Sequence, residues 1–254
     1  MCERYSARMF AGRTLVVLFC CAWLTVSHVS AQEAESESPY KLDLHVDLPL
    51  IALSGGVSAA GFLVRAELPE CAPYCSTKGL NALDRTAIHL HSNTAAKAAD
   101  VALVVLAIAP LVLDAIDTRF HGFWSDAVVI FETLALTTTI TQITKFAVGR
   151  YEPIVYSGAP GATQLQDFDV GRSFFSAHAA SAFAVTTAFT VTYWLRHPDD
   201  PMRFVVLALG ATLSLLTGVS KVFAGQHFWT DVLAGSVVGA SVGVLVPFLH
   251  VRTD

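Results

Sequence analysis

Long apolar stretches alternate with short polar connections along most of the chain. A transmembrane helix needs about 20 mainly apolar residues to cross the hydrocarbon core of a bilayer. Six stretches approach or exceed that length: residues 48–64, 96–116, 123–148, 177–195, 204–223 and 229–250. The pattern predicts an all-α fold, a six-helix bundle that lies within a membrane.

The connections predict how neighbouring helices run. Residues 117–122 and 196–203 are short, so the helices on either side of each are expected to be antiparallel neighbours. Longer connections cover residues 65–95 and 149–175. Small side chains recur in the last helix, where they allow another helix to pack closely. They are Ala234, Gly235, Gly239, Ala240 and Gly243.

The N-terminal segment, residues 1–31, has the organisation of a secretory signal. Arginines precede an apolar run, and Val29-Ser30-Ala31 places small side chains at the two positions that a signal peptidase reads. We expect cleavage after Ala31, and the alternative is an uncleaved anchor helix. An acidic lead-in, residues 32–47, is expected to be disordered, which leaves residues 48–254 as the membrane domain.

The composition agrees with a membrane protein and argues against some partners. Hydrophobic residues make up 54% of the chain and charged residues 15%, whereas a soluble domain has about 25% charged residues. The formal net charge is -5 and no basic run is present. Nucleic acid is therefore not an expected partner, and the expected surroundings are a lipid bilayer.

Two of the five cysteines, Cys71 and Cys75, lie beyond the N-terminal segment. Their Cys-x3-Cys spacing would close a small disulfide loop in an oxidising compartment. Two free thiols in a loop are the alternative, and the sequence leaves both open.

Three motifs carry most of the chemistry. They are Lys145-x6-Glu152-Pro153, Ser173-Phe174-Phe175-Ser176-Ala177-His178 and Ser220-Lys221-x5-His227-x3-Asp231. Their order and spacing resemble the type 2 phosphatidic acid phosphatase family over residues 81–235, including Asn81-Ala82-Leu83-Asp84-Arg85. The resemblance implies a helical fold shared with vanadium haloperoxidases. It also implies metal-independent hydrolysis of phosphate monoesters or diphosphates, usually on lipids or isoprenoid carriers, without a cofactor.

His227 and Asp231 lie one helical turn apart, a spacing that lets a carboxylate orient a nucleophilic histidine. Asp231 would hold one ring nitrogen of His227 and leave a lone pair on the other, so attack on phosphorus would give a phosphohistidine. His178 is the expected general acid, and the resemblance assigns it the same role. We expect no metal here, because no third ligand follows at a clear spacing and two lysines would repel a cation.

The residues expected to bind phosphate surround the two histidines. Ser176 and Ala177 open the fourth predicted helix, whose free N–H groups and dipole favour an anion. Lys145 and Lys221 would supply positive charge as point charges. The expected substrate is therefore the phosphate headgroup of a membrane lipid.

Three positions depart from the family pattern. Glu152 stands where the family has a phosphate-binding arginine, and like charges about 4 Å apart cost on the order of 4 kcal/mol at an effective dielectric of about 20. Glu152 must therefore point away, be protonated or pair with a cation, and Arg150 is the expected substitute for the arginine. Lys221 replaces a second arginine and loses its bidentate geometry, and Ala177 replaces a glycine. The alternative function is a catalytically weak or inactive relative that binds phosphorylated lipids or has a structural role.

Two carboxylates, Asp126 and Glu132, lie in the third predicted helix. Ionisable groups at bilayer depth are costly, and they are usually paired or functional. We expect pairing within the bundle, and a proton path is the alternative.

The helix order places all three motifs on one membrane face. The resemblance implies that this face is extracytoplasmic, in a multi-pass protein of a bacterial inner membrane. A cleaved signal followed by a crossing at residues 48–64 would make the same face cytoplasmic. Because that stretch is short and contains Ser54-Gly55-Gly56, lying along the membrane or re-entering it is the alternative to crossing.

Overall fold

The computed structural model describes residues 38–253, except the side chain of Phe62. Within this range the chain folds into seven α-helices: α1 (Leu44–Leu63), α2 (Ala82–Arg85), α3 (Asn93–Thr118), α4 (Phe123–Val148), α5 (Ala177–Arg196), α6 (Met202–Phe223) and α7 (Trp229–His250). The loops contain 3-10 helices at Thr77–Gly79, Pro153–Tyr156 and Thr163–Gln166. The prediction of an all-α fold is confirmed, and α2 is a single turn added to the six predicted helices. The expected signal, residues 1–31, lies outside the described residues.

The described end of the acidic lead-in is packed against the bundle rather than disordered. Tyr40 is fully buried, and its hydroxyl lies 2.8 Å from the hydroxyl of Thr192 on α5. The helix α1 begins at Leu44, four residues before the apolar stretch that predicted it. The sequence pattern misses this turn because it contains Asp47, which is buried beside His250 of the distant helix α7.

Among the described residues, five helices are long and apolar enough to cross a membrane: α1, α3, α4, α6 and α7. The remaining long helix, α5, lies at the centre of the bundle, where α3, α4, α6 and α7 all pack against it. Its buried side chains are mainly those of alanine and threonine. The buried threonine hydroxyls of α5 bond to the preceding helical turn, as Thr190 does to the carbonyl of Thr186.

Three glycines on α7 allow close approach to α5. A Cβ atom added at Gly235, Gly239 or Gly243 would collide with the α5 backbone, and at Gly235 it would lie 2.6 Å from the carbonyl oxygen of Ser176. These positions belong to the predicted stripe of small residues. The contact brings the first turn of α5 beside the first turn of α7, where two of the sequence motifs lie.

The helix α1 packs along α4. The Ser58 hydroxyl donates to Thr138 at 3.0 Å, and Thr139 donates to the carbonyl of Ser54 at 2.9 Å. A helix of 20 residues is about 30 Å long, close to the thickness of a bilayer core. The residues Ser54-Gly55-Gly56 therefore lie inside a continuous helix that is long enough to cross a membrane.

The three motifs meet at one face of the bundle, where α1, α4 and α6 end and α3, α5 and α7 begin. The connections before α3 and α5 cover this face, and Arg65 near the end of α1 donates to the carbonyl of Gln166 at 3.1 Å. Cys71 and Cys75, in the first of these connections, form a disulfide with a Cα–Cα distance of 4.8 Å.

Candidate active site

His227 lies in the connection between α6 and α7, and its side chain is buried. Nδ1 is 3.8 Å from Oδ2 of Asp231, too long for a hydrogen bond, and it has no hydrogen-bond partner within residues 38–253. Burial lowers the pKa of His227, and the ammonium groups of Lys145 and Lys221 lower it further, against the opposing effect of Asp231. The imidazole is therefore neutral near pH 7, and a neutral ring keeps the lone pair that a nucleophile needs.

Asp231 is fully buried in the first turn of α7 and is fixed by three donors. Its carboxylate accepts hydrogen bonds from the Ser173 hydroxyl, from the Phe228 N–H at 2.8 Å and from the guanidinium of Arg150. The carboxylate is thus held beside His227 without a direct hydrogen bond to the ring. The motif spacing predicted the approach of His227 and Asp231, but it did not predict the role of Ser173.

Arg150 binds two carboxylates behind the histidine. Its guanidinium bridges Asp231 and Asp84, with Nη2 2.8 Å from Oδ2 of Asp84. It also donates to the Thr230 hydroxyl at 2.8 Å and lies over the Phe228 ring, 4.0 Å from the centroid. This arrangement orients the His227 connection and α7. The proposed use of Arg150 as a phosphate-binding fork remains a prediction, and it would require the guanidinium to exchange partners.

Asp84 explains why the Asn81–Arg85 element belongs to the site. Its buried carboxylate accepts from the Thr230 N–H at 3.1 Å and from the Asn81 side chain at 2.7 Å. Burial favours the neutral form, but hydrogen bonds from Arg150, Thr230 and Asn81 outweigh it and hold the pKa of Asp84 below its ordinary value. Asp84 is therefore the charged partner that fixes Arg150.

His178, in the first turn of α5, pairs with a carboxylate from α3. Nε2 of His178 lies 2.9 Å from Oδ1 of Asp100, and Nζ of Lys221 donates to the same oxygen at 2.8 Å. Burial lowers the pKa of both imidazoles, and the ammonium group of Lys221 lowers both further. Both histidines therefore lie near Lys221. The sequence offered one signal for Asp100, a carboxylate inside an apolar helix.

The remaining lysine of the site also has an acidic partner. Lys145 forms an ion pair with Asp169, and Nε of Arg172 lies 3.1 Å from the same carboxylate. Gln226 accepts from Lys221 at 3.0 Å and donates to Asp167 at 2.7 Å. Each cation predicted to bind phosphate is therefore already paired with an aspartate. Phosphate binding at this site would require its oxygens to replace carboxylate oxygens.

Glu152, which stands in place of the family arginine, is buried at the start of a 3-10 helix. Its Oε2 atom accepts no hydrogen bond from the described part of the chain. Lys145 and Lys221 attract its charge, whereas Asp167 repels it. A buried carboxylate without adequate pairing costs several kcal/mol when ionised, so this position favours the neutral acid. A neutral Glu152 would not repel phosphate, although it would not replace the arginine either.

Ser176 and Ala177 begin α5 beside His178. The Ser176 hydroxyl caps the helix by accepting from the Ala179 N–H at 3.3 Å, and the Ser176 N–H donates to the carbonyl of Asp231 at 3.1 Å. These contacts fix the first turn of α5 against α7. Binding of phosphate by this turn remains a prediction.

Comparison with known proteins identifies the motifs. A family model described as PAP2 superfamily matches residues 126–253, which includes every predicted site residue. The match confirms the resemblance to type 2 phosphatidic acid phosphatases. It begins within α4, so it does not include the disulfide loop or Asp100.

Two curated sequences are similar to parts of this chain. A PA-phosphatase related-family protein of Dictyostelium discoideum is 31% identical over 138 residues, which cover 51% of this chain and 50% of that protein. The lipid A 1-phosphatase of Porphyromonas gingivalis is 30% identical over 112 residues, 44% of this chain and 21% of that protein. The chain therefore matches half or less of the length of either relative. A crystal structure of a transmembrane PAP2 type phosphatidylglycerolphosphate phosphatase from Bacillus subtilis aligns with a TM-score of 0.46 and 20% identity, covering 81% of this chain and 92% of that one.

Proposed function

The chain belongs to the PAP2 superfamily, and we propose that it is a membrane phosphatase that hydrolyses a lipid or isoprenoid phosphate or diphosphate through a phosphohistidine at His227. The observation that carries the proposal is buried His227, whose Nδ1 faces Asp231 at the face of the bundle where His178 also lies. A neutral imidazole and a separate proton donor are the two groups that phosphoryl transfer through histidine requires.

A lipid substrate is supported by the membrane setting. The chain is a multi-pass membrane protein, with five helices of membrane length in the described residues and a family of membrane phosphatases as its relatives. The site lies where the helices end, so a phosphate headgroup can reach it while the acyl or isoprenoid tail stays in hydrocarbon. The similarity to a lipid A 1-phosphatase supports the same class of substrate.

The first chemical step transfers the phosphoryl group to the enzyme. The Nε2 lone pair of His227 attacks phosphorus, because Nδ1 faces Asp231, and the bond from phosphorus to the lipid oxygen breaks. His178 donates a proton to the departing oxygen. A lipid monophosphate therefore leaves as an alcohol, and a lipid diphosphate leaves as a monophosphate. Asp231 stabilises the positive charge that develops on the His227 ring.

The second step returns the enzyme to its starting state. His178, now neutral, removes a proton from water, and the resulting oxygen nucleophile attacks the phosphohistidine. The phosphorus–nitrogen bond breaks, inorganic phosphate is released and His227 regains its lone pair. Lys145 and Lys221 stabilise the equatorial phosphate oxygens in both steps.

Phosphate release in detergent tests the proposal directly. Purified full-length protein is incubated with phosphatidic acid or an isoprenyl diphosphate in the presence of a chelator. We expect release of inorganic phosphate by the wild type and by His89→Ala, an exposed loop histidine, and loss of release in His227→Ala. A radiolabelled headgroup should leave an acid-labile label on the wild type. Equal turnover by His227→Ala and the wild type would refute the proposal.

A catalytically weak lipid-binding relative is the second candidate, favoured by two observations. Glu152 replaces an arginine, and the cations of the site are all paired with aspartates. This candidate requires binding to vesicles that contain phosphatidic acid, with no release of phosphate from any member of the substrate panel. Vesicle flotation beside the phosphate assay separates the two functions.

A further inference from the structure

Three side chains with metal-binding atoms converge at the end of the bundle opposite the candidate active site. Asp47 lies in the first turn of α1, Glu132 in the first half of α4 and His250 at the last residue of α7. One ligand atom from each lies within 4.8 Å of the others. Glu132 and Lys145 are 13 residues apart on α4, which separates the two sites by about 20 Å along the helix.

The distances among the three ligand atoms fit a metal ion with tetrahedral coordination. Nε2 of His250 lies 3.3 Å from Oε2 of Glu132 and 3.5 Å from Oδ1 of Asp47. Zinc binds nitrogen and oxygen at about 2.0–2.1 Å, which gives ligand–ligand separations of about 3.3–3.4 Å in a tetrahedron. Two of the three distances between ligand atoms are therefore close to those of a zinc site, and water can supply the fourth ligand.

Outer contacts orient two of the three ligands. Nδ1 of His250 lies 2.8 Å from the carbonyl of Val246, and it must donate because a carbonyl oxygen accepts. In the neutral ring the lone pair is then on Nε2, which faces the two carboxylates. Oδ2 of Asp47 accepts from the Asp43 N–H at 2.8 Å, which leaves Oδ1 directed to His250. Contacts of this kind accompany metal-binding histidines and carboxylates.

The burial and incomplete hydrogen bonding of Glu132 indicate a bound cation. It is 4% exposed, and its Oε2 atom accepts no hydrogen bond from any residue that the structure describes. A single proton on Nε2 of His250 can point at one carboxylate, whereas the ring faces two. A divalent cation among the three atoms would satisfy both carboxylates and the nitrogen together.

We propose that Asp47, Glu132 and His250 bind a divalent transition-metal ion, with Zn²⁺ the best match to the ligand set. The ion joins α1, α4 and α7 at the face away from the phosphatase site. Its role is structural, because each ligand comes from a different helix and the two carboxylates are buried. The proposal is independent of the proposed enzymatic activity, which needs no metal.

Metal content of the full-length protein in detergent tests this site. The protein is incubated with Zn²⁺, passed through gel filtration and analysed by mass spectrometry of the metal. We expect about one zinc per chain in the wild type, and affinity lower by about tenfold or more in Glu132→Gln and in His250→Gln. His197→Gln, which changes a half-exposed histidine paired with Asp117 at the same face, should keep the metal.

Cobalt substitution tests the site even if the variants fail to fold. Wild-type protein loaded with Co²⁺ should show the visible absorption of a tetrahedral complex, and Zn²⁺ should displace it. Zinc content in the wild type no higher than in folded Glu132→Gln, or the absence of the cobalt spectrum, would overturn the proposal. The cluster would then be an imidazolium held between two carboxylates.

Discussion

At the level of single residues, Asp100 connects the proposed general acid, His178, to Lys221, which is proposed to bind phosphate. Asp100→Asn removes the negative charge beside Lys221, so phosphate would meet an unpaired ammonium and KM should fall. The same change removes the anion that favours protonated His178, so kcat should fall by about tenfold or more. Steady-state kinetics with a lipid phosphate would separate the two effects.

The control for this substitution is Asp117→Asn. Asp117 also pairs with a histidine, His197, but at the opposite face of the bundle, so both kinetic constants should stay at the wild-type values. A kcat of Asp100→Asn equal to that of the wild type would show that Asp100 does not position the general acid.

The pKa of His227 makes a second prediction at this scale. Burial lowers the pKa of this ring from the ordinary value of 6.5, and the nucleophile must be neutral to attack. Activity should therefore persist as pH falls through 6.5 and decline at lower pH, where the ring gains a proton. The measurement is the pH profile of kcat/KM between neutral and acidic pH.

The substrate itself must be controlled in this measurement. A phosphate monoester has a second pKa of about 6, so the profile of a lipid phosphate would be compared with that of an isoprenyl diphosphate of different ionisation. An acid limb at or above pH 6.5 for both substrates would contradict a depressed pKa for His227.

Single residues also mark what the sequence can predict about the site. His227 and Asp231 were predicted from their spacing of four residues, and His178 was predicted from a family pattern. Asp100 and Asp169 were not, because each meets its partner only after distant parts of the chain are folded together. The sequence predicted that Arg150 would bind phosphate, whereas the structure places its guanidinium between Asp84 and Asp231. These contacts also form only after distant parts of the chain are folded together.

At the level of helices, the contact between α5 and α7 determines the geometry of the site. A methyl group at Gly239 would collide with the backbone of Ala180, so Gly239→Ala should separate the two helices. Overpacking of this kind typically costs about 1–3 kcal/mol, and it should also lower activity, because Asp231 and Ser176 lie at the end of this contact. Thermal unfolding in detergent and phosphate release would measure the two losses.

Gly55→Ala is the matched control. A Cβ atom at Gly55 meets nothing within 4 Å, and alanine is favoured over glycine within a helix by about 1 kcal/mol. This variant should be as stable as the wild type or slightly more stable. If Gly239→Ala unfolds at the same temperature as Gly55→Ala, the close contact does not limit stability.

The long helices were predictable because about 20 apolar residues in a row have few alternatives to crossing a membrane. The start of α1 and the single turn of α2 were not, because both depend on buried carboxylates with partners far along the chain. Asp47 meets His250, and Asp84 meets Arg150. In the local pattern of apolar and polar residues, these aspartates indicate a loop.

At the scale of the whole molecule, the arrangement of the long helices restricts which side of the membrane the candidate active site can face. Since α1 spans the bundle, Ser38 and the candidate active site lie on opposite faces. A signal cleaved after Ala31 would export Ser38 and leave the site in the cytoplasm. The Cys71–Cys75 disulfide lies on the face of the site and is expected in an oxidising compartment. Signal cleavage and an oxidised loop therefore predict opposite orientations of this fold in the membrane.

We predict that the face carrying the disulfide and the active site is exported. Cysteine reporters at Lys78 and at Asp199, both exposed and on opposite faces, would be introduced singly after all five native cysteines are replaced by serine. A membrane-impermeant maleimide should label Lys78→Cys in intact cells and label Asp199→Cys only after permeabilisation. The reverse pattern would place the site in the cytoplasm. Its substrate would then have to be a lipid phosphate of the inner leaflet, and the loop cysteines would be reduced there.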